Sequence, residues 1–388
     1  MTYWNEWRRL HWQVRGASAI GRIRRRLPRP LPRVPKVLHL SPSWFADASC
    51  VGGGERYPTE LARAMADLVP TTLLSFSPSS RNARDGALAL RWLEGRPLGG
   101  NPSDPLPGSG LLGALAASDV LHAHQWRTAA TQLAVALASA LGKRVFVTDH
   151  GNAATDLDAR YGLSGLVDRF LPVSRFGARF LPCPPDSAGL GGGVARSLLG
   201  EAPGAWPRER RVVFLGRILP HKGLDLLVEA CSPDVPLTLV GRAYDKTYLE
   251  DLRARSAGAD VTFVGDADDA EAARILRSAT VLALPSVHRD LYGRTHAMPE
   301  LLGLVLLEAM ACGTPVVCSD AGGMSEFVRD GETGLVVPWG NAGALGRALR
   351  EILDDPVRAE AMGRAAAEEA RRRHTWDVVA RRALEAYR

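Results

Sequence analysis

The chain has 388 residues, 46% of them hydrophobic and 23% charged, a balance that excludes global disorder and predicts two folded cores. Its net charge is +6, yet ten basic residues fall within the first 36 against Glu6 alone. The remainder is therefore net acidic, which speaks against a nucleic-acid partner for the main body.

No apolar run approaches the roughly 18–20 residues that span a bilayer, and nothing resembles a signal peptide. The five cysteines, Cys50, Cys183, Cys231, Cys312 and Cys318, include no C-x-x-C pair and read as reduced thiols. The expected location is the cytoplasm.

In residues 1–35, Tyr3, Trp7, Leu10, Val14 and Ala17 recur at helical spacing, with Trp4 and Trp12 flanking them and arginines filling much of the rest. This pattern fits an interfacial helix on an anionic membrane surface at the inner face, or a helix that caps the first domain. The segment LPRPLPRVPK then reads as a stiff spacer.

From Lys36 on, short apolar runs alternate with helical patterns, the rhythm of an α/β fold with parallel sheets. In residues 36–198, KVLHLS, TTLLSFS, DVLHAH, RVFVTDH and RFLPVS read as strands. Residues 199–210, rich in Gly, Pro and charge, read as an interdomain linker. In residues 211–374, RVVFLG, PLTLVG, VTFVG, TVLALPS and TPVVCS form a second series of strands. Residues 375–388 read as a closing helix that crosses between domains.

The stretch ELLGLVLLEAMACG carries Glu300 and Glu308 around Gly303, with an apolar helix beginning near Leu304. The free N–H groups of Gly303, Leu304 and Val305 at that helix start form an anion site suited to a diphosphate. Glu308 is placed to accept hydrogen bonds from vicinal ribose hydroxyls, and Glu300 to contact a sugar.

The spacing of Glu300 and Glu308 resembles the E-x7-E motif of the retaining GT-B glycosyltransferases of family 4. FLGRILPHKGLDLLVEA is similar to that family's G-R-x5-K-G segment, and GTPVVCSDAGGMSEFVRDGETGLVVP to its closing pattern. VGGGERYPTELARAM resembles its glycine-rich loop, with Gly52, Gly53, Gly54 and Glu55, and DVLHAH and TDHG match further segments. The resemblance covers Lys36 to the end of the chain.

It implies a GT-B fold of two facing Rossmann-like domains and a nucleotide-sugar donor. Arg217 and Lys222 would grip the donor diphosphate with Gly53, Gly54, Gly303, Leu304, Val305 and Glu308, while His150 and Glu300 serve the transferred sugar. His124 is either a further sugar or acceptor contact or a satisfied, partly buried histidine. No metal and no other cofactor is expected. The hydroxyl acceptor is either a lipid-linked saccharide or a small molecule.

The pattern is interrupted by VHRDLYGRTHAMP between Ser286 and Glu300, read either as an acceptor or lid loop or as a variable surface insertion. Leu301 and Leu302 replace the usual Gly-Phe, and Gly193-Val194-Ala195 lacks the acidic residue of N-G-V-D. Competing readings are a nucleotide-sugar epimerase or phosphorylase on the same scaffold, and a non-catalytic nucleotide-sugar-binding protein. A nicotinamide dehydrogenase is disfavoured because no G-x-G-x-x-G follows the first strand.

Overall fold

A computed structural model describes residues 3–42, 52–151, 155–184, 187–199, 208–231 and 233–388. Cys50 and most of the expected linker at 199–210 lie outside the described residues. The chain forms two compact units, Met1–Gly191 with Trp376–Arg388, and Gly192–Thr375. The first boundary thus falls ahead of the linker expected from composition. Residues 1–35, expected as a separate extension, belong to the first unit.

The first unit begins with α1 (Tyr3–Arg24), β1 (Val37–Leu40), α2 (Gly53–Ala66) and β2 (Thr71–Ser77). There follow β3 (Arg81–Asp85), β4 (Leu88–Leu98), β5 (Asn101–Pro107), α3 (Leu111–Ala116), β6 (Val120–His124) and α4 (Ala129–Ala140). β7 (Arg144–Thr148), α5 (Asp158–Tyr161), β8 (Arg169–Phe170) and α6 (Arg175–Ala178) complete the series. The sheet order is β3-β4-β2-β1-β6-β7-β8, with β5 also pairing β4. From β4 to β8 the neighbours run parallel, whereas β3 and β5 are antiparallel to β4. The chain winds from β1 towards β4, then returns to β6 on β1's other side, so a switch point lies between β1 and β6.

α4 is buried along most of its length, capped by the Thr128 hydroxyl accepting from the Thr131 N–H. Its outer neighbour is α1, whose Leu10, Val14 and Ala17 are buried in the same core as Ala129, Leu133 and Ala136. The two helices approach closely at Gly21, where a Cβ would stand 2.7 Å from Ser139 Oγ. Arg29 extends the attachment through a two-point contact with the Asp168 carboxylate and a bond to the Lys143 carbonyl. Of the two readings of this stripe, a membrane-surface helix or a helix capping the first domain, its Leu10, Val14 and Ala17 follow the second, because burying them on α4 removes the same area from water.

The second unit holds α7 (Arg196–Leu199), β9 (Glu209–Leu215), α8 (Leu224–Cys231), β10 (Leu237–Val240), α9 (Lys246–Arg255) and β11 (Val261–Val264). It continues with α10 (Asp269–Ser278), β12 (Ala279–Leu284), α11 (Leu304–Ala311), β13 (Val316–Ser319), β14 (Gly334–Val337), α12 (Ala342–Leu353) and α13 (Pro356–Arg373). All pairs in the sheet β11-β10-β9-β12-β13-β14 are parallel, with the switch between β9 and β12. The chain re-enters the first unit with α14 (Trp376–Tyr387), which packs on α2. The described cysteines form no disulfide, and among the described residues no helix is long and apolar enough to cross a membrane.

If α1 is part of the first unit's core, Leu10→Ala lowers its unfolding free energy by about 2–5 kcal/mol, whereas Trp12→Ala, at an exposed position, leaves it nearly unchanged. Chemical denaturation of the two variants against the parent chain measures the difference.

Candidate active site

Both switch points gather the residues singled out in the sequence. In the second unit, the loop after β9 carries Arg217, which is exposed, and then the short turn Pro220–Lys222, which ends at Gly223. Gly223 has φ +66°, and a Cβ there would lie 2.3 Å from the Pro285 carbonyl, so the turn can press against the end of β12 only with glycine. This places Lys222 Nζ in an ion pair with Glu300 Oε2. Their side chains are only 11% and 18% exposed, so the pair is largely withdrawn from solvent.

Glu300 is set by its own backbone. Its carbonyl accepts from the Gly323 N–H at 2.9 Å, and a Cβ on Gly322, at φ +81°, would stand 2.0 Å from that oxygen. Three residues on, Gly303 caps α11 with φ +79°, leaving the N–H groups of the first turn at Leu304 and Val305. Glu308 follows in the second turn of that helix and is buried. Lys222, Glu300, Gly303 and the start of α11 thus share one end of the sheet.

The segment inserted between Ser286 and Glu300 is a built hairpin. Arg289 and Thr295 form an antiparallel bridge, and the fully buried Asp290 carboxylate accepts from Arg294 Nε at 3.0 Å and His296 Nε2 at 2.9 Å. The His296 ring lies 5.1 Å from that of His221, and the Val287 N–H donates to the His221 carbonyl. Burial, assisted by the charge of Lys222, pushes His221 down to about 3. The hairpin therefore rests on the turn that presents Lys222.

In the first unit, the N–H of Gly52 donates to Glu55 Oε2 at 3.0 Å, which commits Glu55 to capping α2. Gly53 starts that helix. Gly54 brings it against the loop after β7, where an added Cβ would meet His150 Cβ at 3.5 Å. His150 Nε2 lies 3.1 Å from His124 Nδ1, and His124 Nε2 lies 3.1 Å from His39 Nδ1. His122 bonds instead to the Tyr387 and Thr148 hydroxyls at 2.7 and 2.8 Å. Tyr57 packs its ring 4.7 Å from His150 and donates to the Gly191 carbonyl.

Burial drives all four histidines towards the neutral form, His39 and His150 to about 3 and His122 and His124 well below the usual range. Among the described residues His39, His122 and His124 bring ring nitrogens within 4.8 Å of one another, near enough to hold a cation. Both nitrogens of His122 and of His124 are already hydrogen-bonded, so a cation would displace those bonds.

The sequence pointed to His124 and His150 but not to His39, His122, Tyr57 or Gln125. Gln125, next to His124, adopts φ +60°, an uncommon conformation for a residue with a side chain. The period-two pattern of VLHL and VLHAH was the available signal, since it places polar rings at alternate buried positions.

These two sheets, one mixed and one wholly parallel, each with its candidate residues at the switch point, define a GT-B chain. The fold is shared with sucrose-phosphate synthase from Thermosynechococcus elongatus (TM-score 0.68, 23% identity, 91% of this chain and 98% of that one). It is shared equally with Anabaena HepE solved with UDP and glucose (TM-score 0.67, 19% identity, 91% and 99%). Residues 201–369 match the family described as Glycosyl transferases group 1, and residues 51–182 match Glycosyltransferase Family 4. A D-inositol 3-phosphate glycosyltransferase from Kribbella flavida is 30% identical over 93% of this chain and 96% of its own. The chain belongs to glycosyltransferase family 4. It spans about half the length of several curated relatives it matches, among them a phosphatidyl-myo-inositol mannosyltransferase from Mycobacterium leprae, 38% identical over 52% of this chain and 53% of that one.

Neutral burial of the histidines makes stability pH-dependent. Their folded pKa values lie below the unfolded value, so the unfolded chain binds more protons at moderately acid pH. Stability is then fully present above about pH 6.5 and falls as the pH drops towards the folded value near 3, by up to roughly 1.4 kcal/mol per pH unit for each fully buried ring. Thermal unfolding followed across that interval should show the steep acid limb, and a shallower limb in a His39→Leu/His122→Leu variant, with His124 and His150 still contributing, would tie it to these rings.

Proposed function

We propose that this chain transfers a sugar from a nucleotide-diphosphate sugar to an acceptor hydroxyl, with retention of anomeric configuration. The Lys222–Glu300 pair beside the Gly303-capped start of α11 carries the reading. Arg217, Lys222 and the first-turn N–H groups of α11 supply positive potential to the departing diphosphate, without a metal or other cofactor. Glu308 holds the ribose hydroxyls, and Glu300 and His150 orient the sugar. The bond from the anomeric carbon to the diphosphate breaks as that to the acceptor oxygen forms, and the acceptor's proton passes to the departing phosphate oxygen.

The named relatives act on inositol phosphate or phosphatidylinositol, which supports an inositol-type or lipid-linked acceptor. The outer face of α1 supports access to a membrane-borne acceptor. Trp12, Ile20 and Ile23 are 79%, 52% and 69% exposed on one helical stripe, with exposed Arg8, Arg9, Arg15, Arg22, Arg24 and Arg26 beside it. Such a face suits the cytoplasmic leaflet, its apolar side chains entering between anionic headgroups that the arginines neutralise.

Calorimetric titration with UDP, GDP, ADP, dTDP and their sugars should find one nucleotide that binds. Lys222→Ala and Glu308→Ala should each weaken it about 10- to 100-fold, as loss of a charge-assisted hydrogen bond does, and EDTA should leave turnover unchanged. A folded chain that binds none of them would sink the reading, and inhibition by EDTA would redirect attention to the histidine cluster.

Sedimentation with vesicles of phosphatidylglycerol and phosphatidylcholine tests the α1 face. The triple change Trp12→Ser, Ile20→Ser, Ile23→Ser should reduce partitioning to the anionic vesicles by roughly tenfold or more. Equal partitioning of parent and variant would remove the membrane contact.

A further inference from the structure

The first unit's buried histidines form an ordered chain rather than a loose cluster. His39 Nδ1 meets His124 Nε2, and His124 Nδ1 meets His150 Nε2, each at 3.1 Å. The ring planes of His39 and His124 are inclined by 18°, those of His124 and His150 by 13°, with centroids 5.4 Å apart in both pairs, so the rings meet edge to edge along one near-planar row. Tyr57 closes the row at the His150 end, and His39 Nε2, at the other end, is buried without a hydrogen-bond partner among the described residues.

A neutral imidazole has one N–H and one bare nitrogen, so each ring can donate once and accept once. Satisfying both contacts leaves only two arrangements. In the first, His39 Nδ1–H donates to His124, His124 Nδ1–H donates to His150 Nε2, and the proton of His150 resides on Nδ1. In the second every donor reverses, His150 carries its proton on Nε2, and His39 is left with a buried Nε2–H that has no acceptor. The first arrangement leaves only a bare lone pair at His39 Nε2, a lesser loss than a stranded donor.

We propose that His39 and His124 are positioning residues that hold His150 in the Nδ1–H tautomer, so that its remaining nitrogen is a hydrogen-bond donor and not an acceptor. The ligand atom facing it is then an oxygen lone pair, as on a sugar hydroxyl. This rests on the sugar contact assigned to His150 above. The chain also fixes the ring plane, since a rotation of either neighbour breaks a contact. His122 stands outside this logic, because the hydroxyls of Tyr387 and Thr148 accept or donate as needed.

The test is nitrogen NMR on the full chain carrying 15N-histidine, near neutral pH, with His150 assigned by its loss in His150→Gln. The parent protein should show a protonated Nδ1 and a bare Nε2 at His150. His39→Leu removes the donor at the row's start and should give a mixture of both tautomers, with kcat/KM lowered roughly fivefold. His39→Asn returns an amide donor to the position of Nδ1 and should restore both. An Nε2-protonated His150 in the parent overturns the proposal without any variant having to fold, and so does an unchanged tautomer in a folded His39→Leu. A tautomer shift with no change in turnover upholds the relay while removing His150 from the sugar contact.

Discussion

A parallel sheet that winds both ways from its first strand leaves one place where successive loops diverge, and everything else in this molecule is arranged around that constraint. In the first unit the divergence lies between β1 and β6, and in the second between β9 and β12. Strand ends there present backbone and side chains that no crossover helix covers. His39, His124 and His150 follow from the first divergence, Arg217, Lys222 and the hairpin before Glu300 from the second. Glycines with left-handed or closely approached backbone, Gly223 and Gly322, let the loops pack tightly enough to hold those side chains in place.

The two clusters use opposite electrostatics. The first unit holds four neutral histidine rings, which costs nothing in charge but makes a nitrogen left without a partner, such as His39 Nε2, costly. In the row we infer, the proton on one ring dictates the proton on the next. The second unit keeps a full positive and a full negative charge in contact, Lys222 with Glu300, at a sheet end that also carries the start of α11. Geometry in the one case comes from tautomer matching, in the other from charge pairing.

Much of this was legible in the residues. Glu300, Gly303 and Glu308 stand close in sequence, and a loop followed by a helix start is a local structure whose consequences can be read without the fold. Lys222 was legible only through the resemblance of its segment to the family's G-R-x5-K-G pattern, and its meeting with Glu300 spans three crossovers and needed the sheet order. His39 and His122 sit on strands where alternate residues read as ordinary core; His122 shares a face of β6 with His124, but only the pairing of β1 with β6 brings His39 to them. β3, β4 and β5 were missed because arginine, paired glycines and four prolines mask the alternation, as is common for strands at a sheet's edge. The period of α1 marked an apolar stripe correctly, yet a period cannot say whether lipid or protein covers it. Leu10 and Val14 meet α4, and the stripe left to solvent is the one through Trp12, Ile20 and Ile23.

On the proposed function, the Lys222–Glu300 pair also narrows what its ligand must look like. Both side chains are mostly withdrawn from water, so a molecule that captures one and leaves the other alone strands a partly buried charge, at a cost that cancels much of the gain. An inorganic anion satisfies Lys222 and abandons Glu300. A neutral saccharide offers hydroxyl donors to Glu300 and abandons Lys222. A phosphate joined to a polyol satisfies both at once, because its oxygens replace the carboxylate at Lys222 while its hydroxyls replace the ammonium at Glu300. On the proposed function, the pair therefore favours the joined chemistry of a sugar phosphate over either half alone.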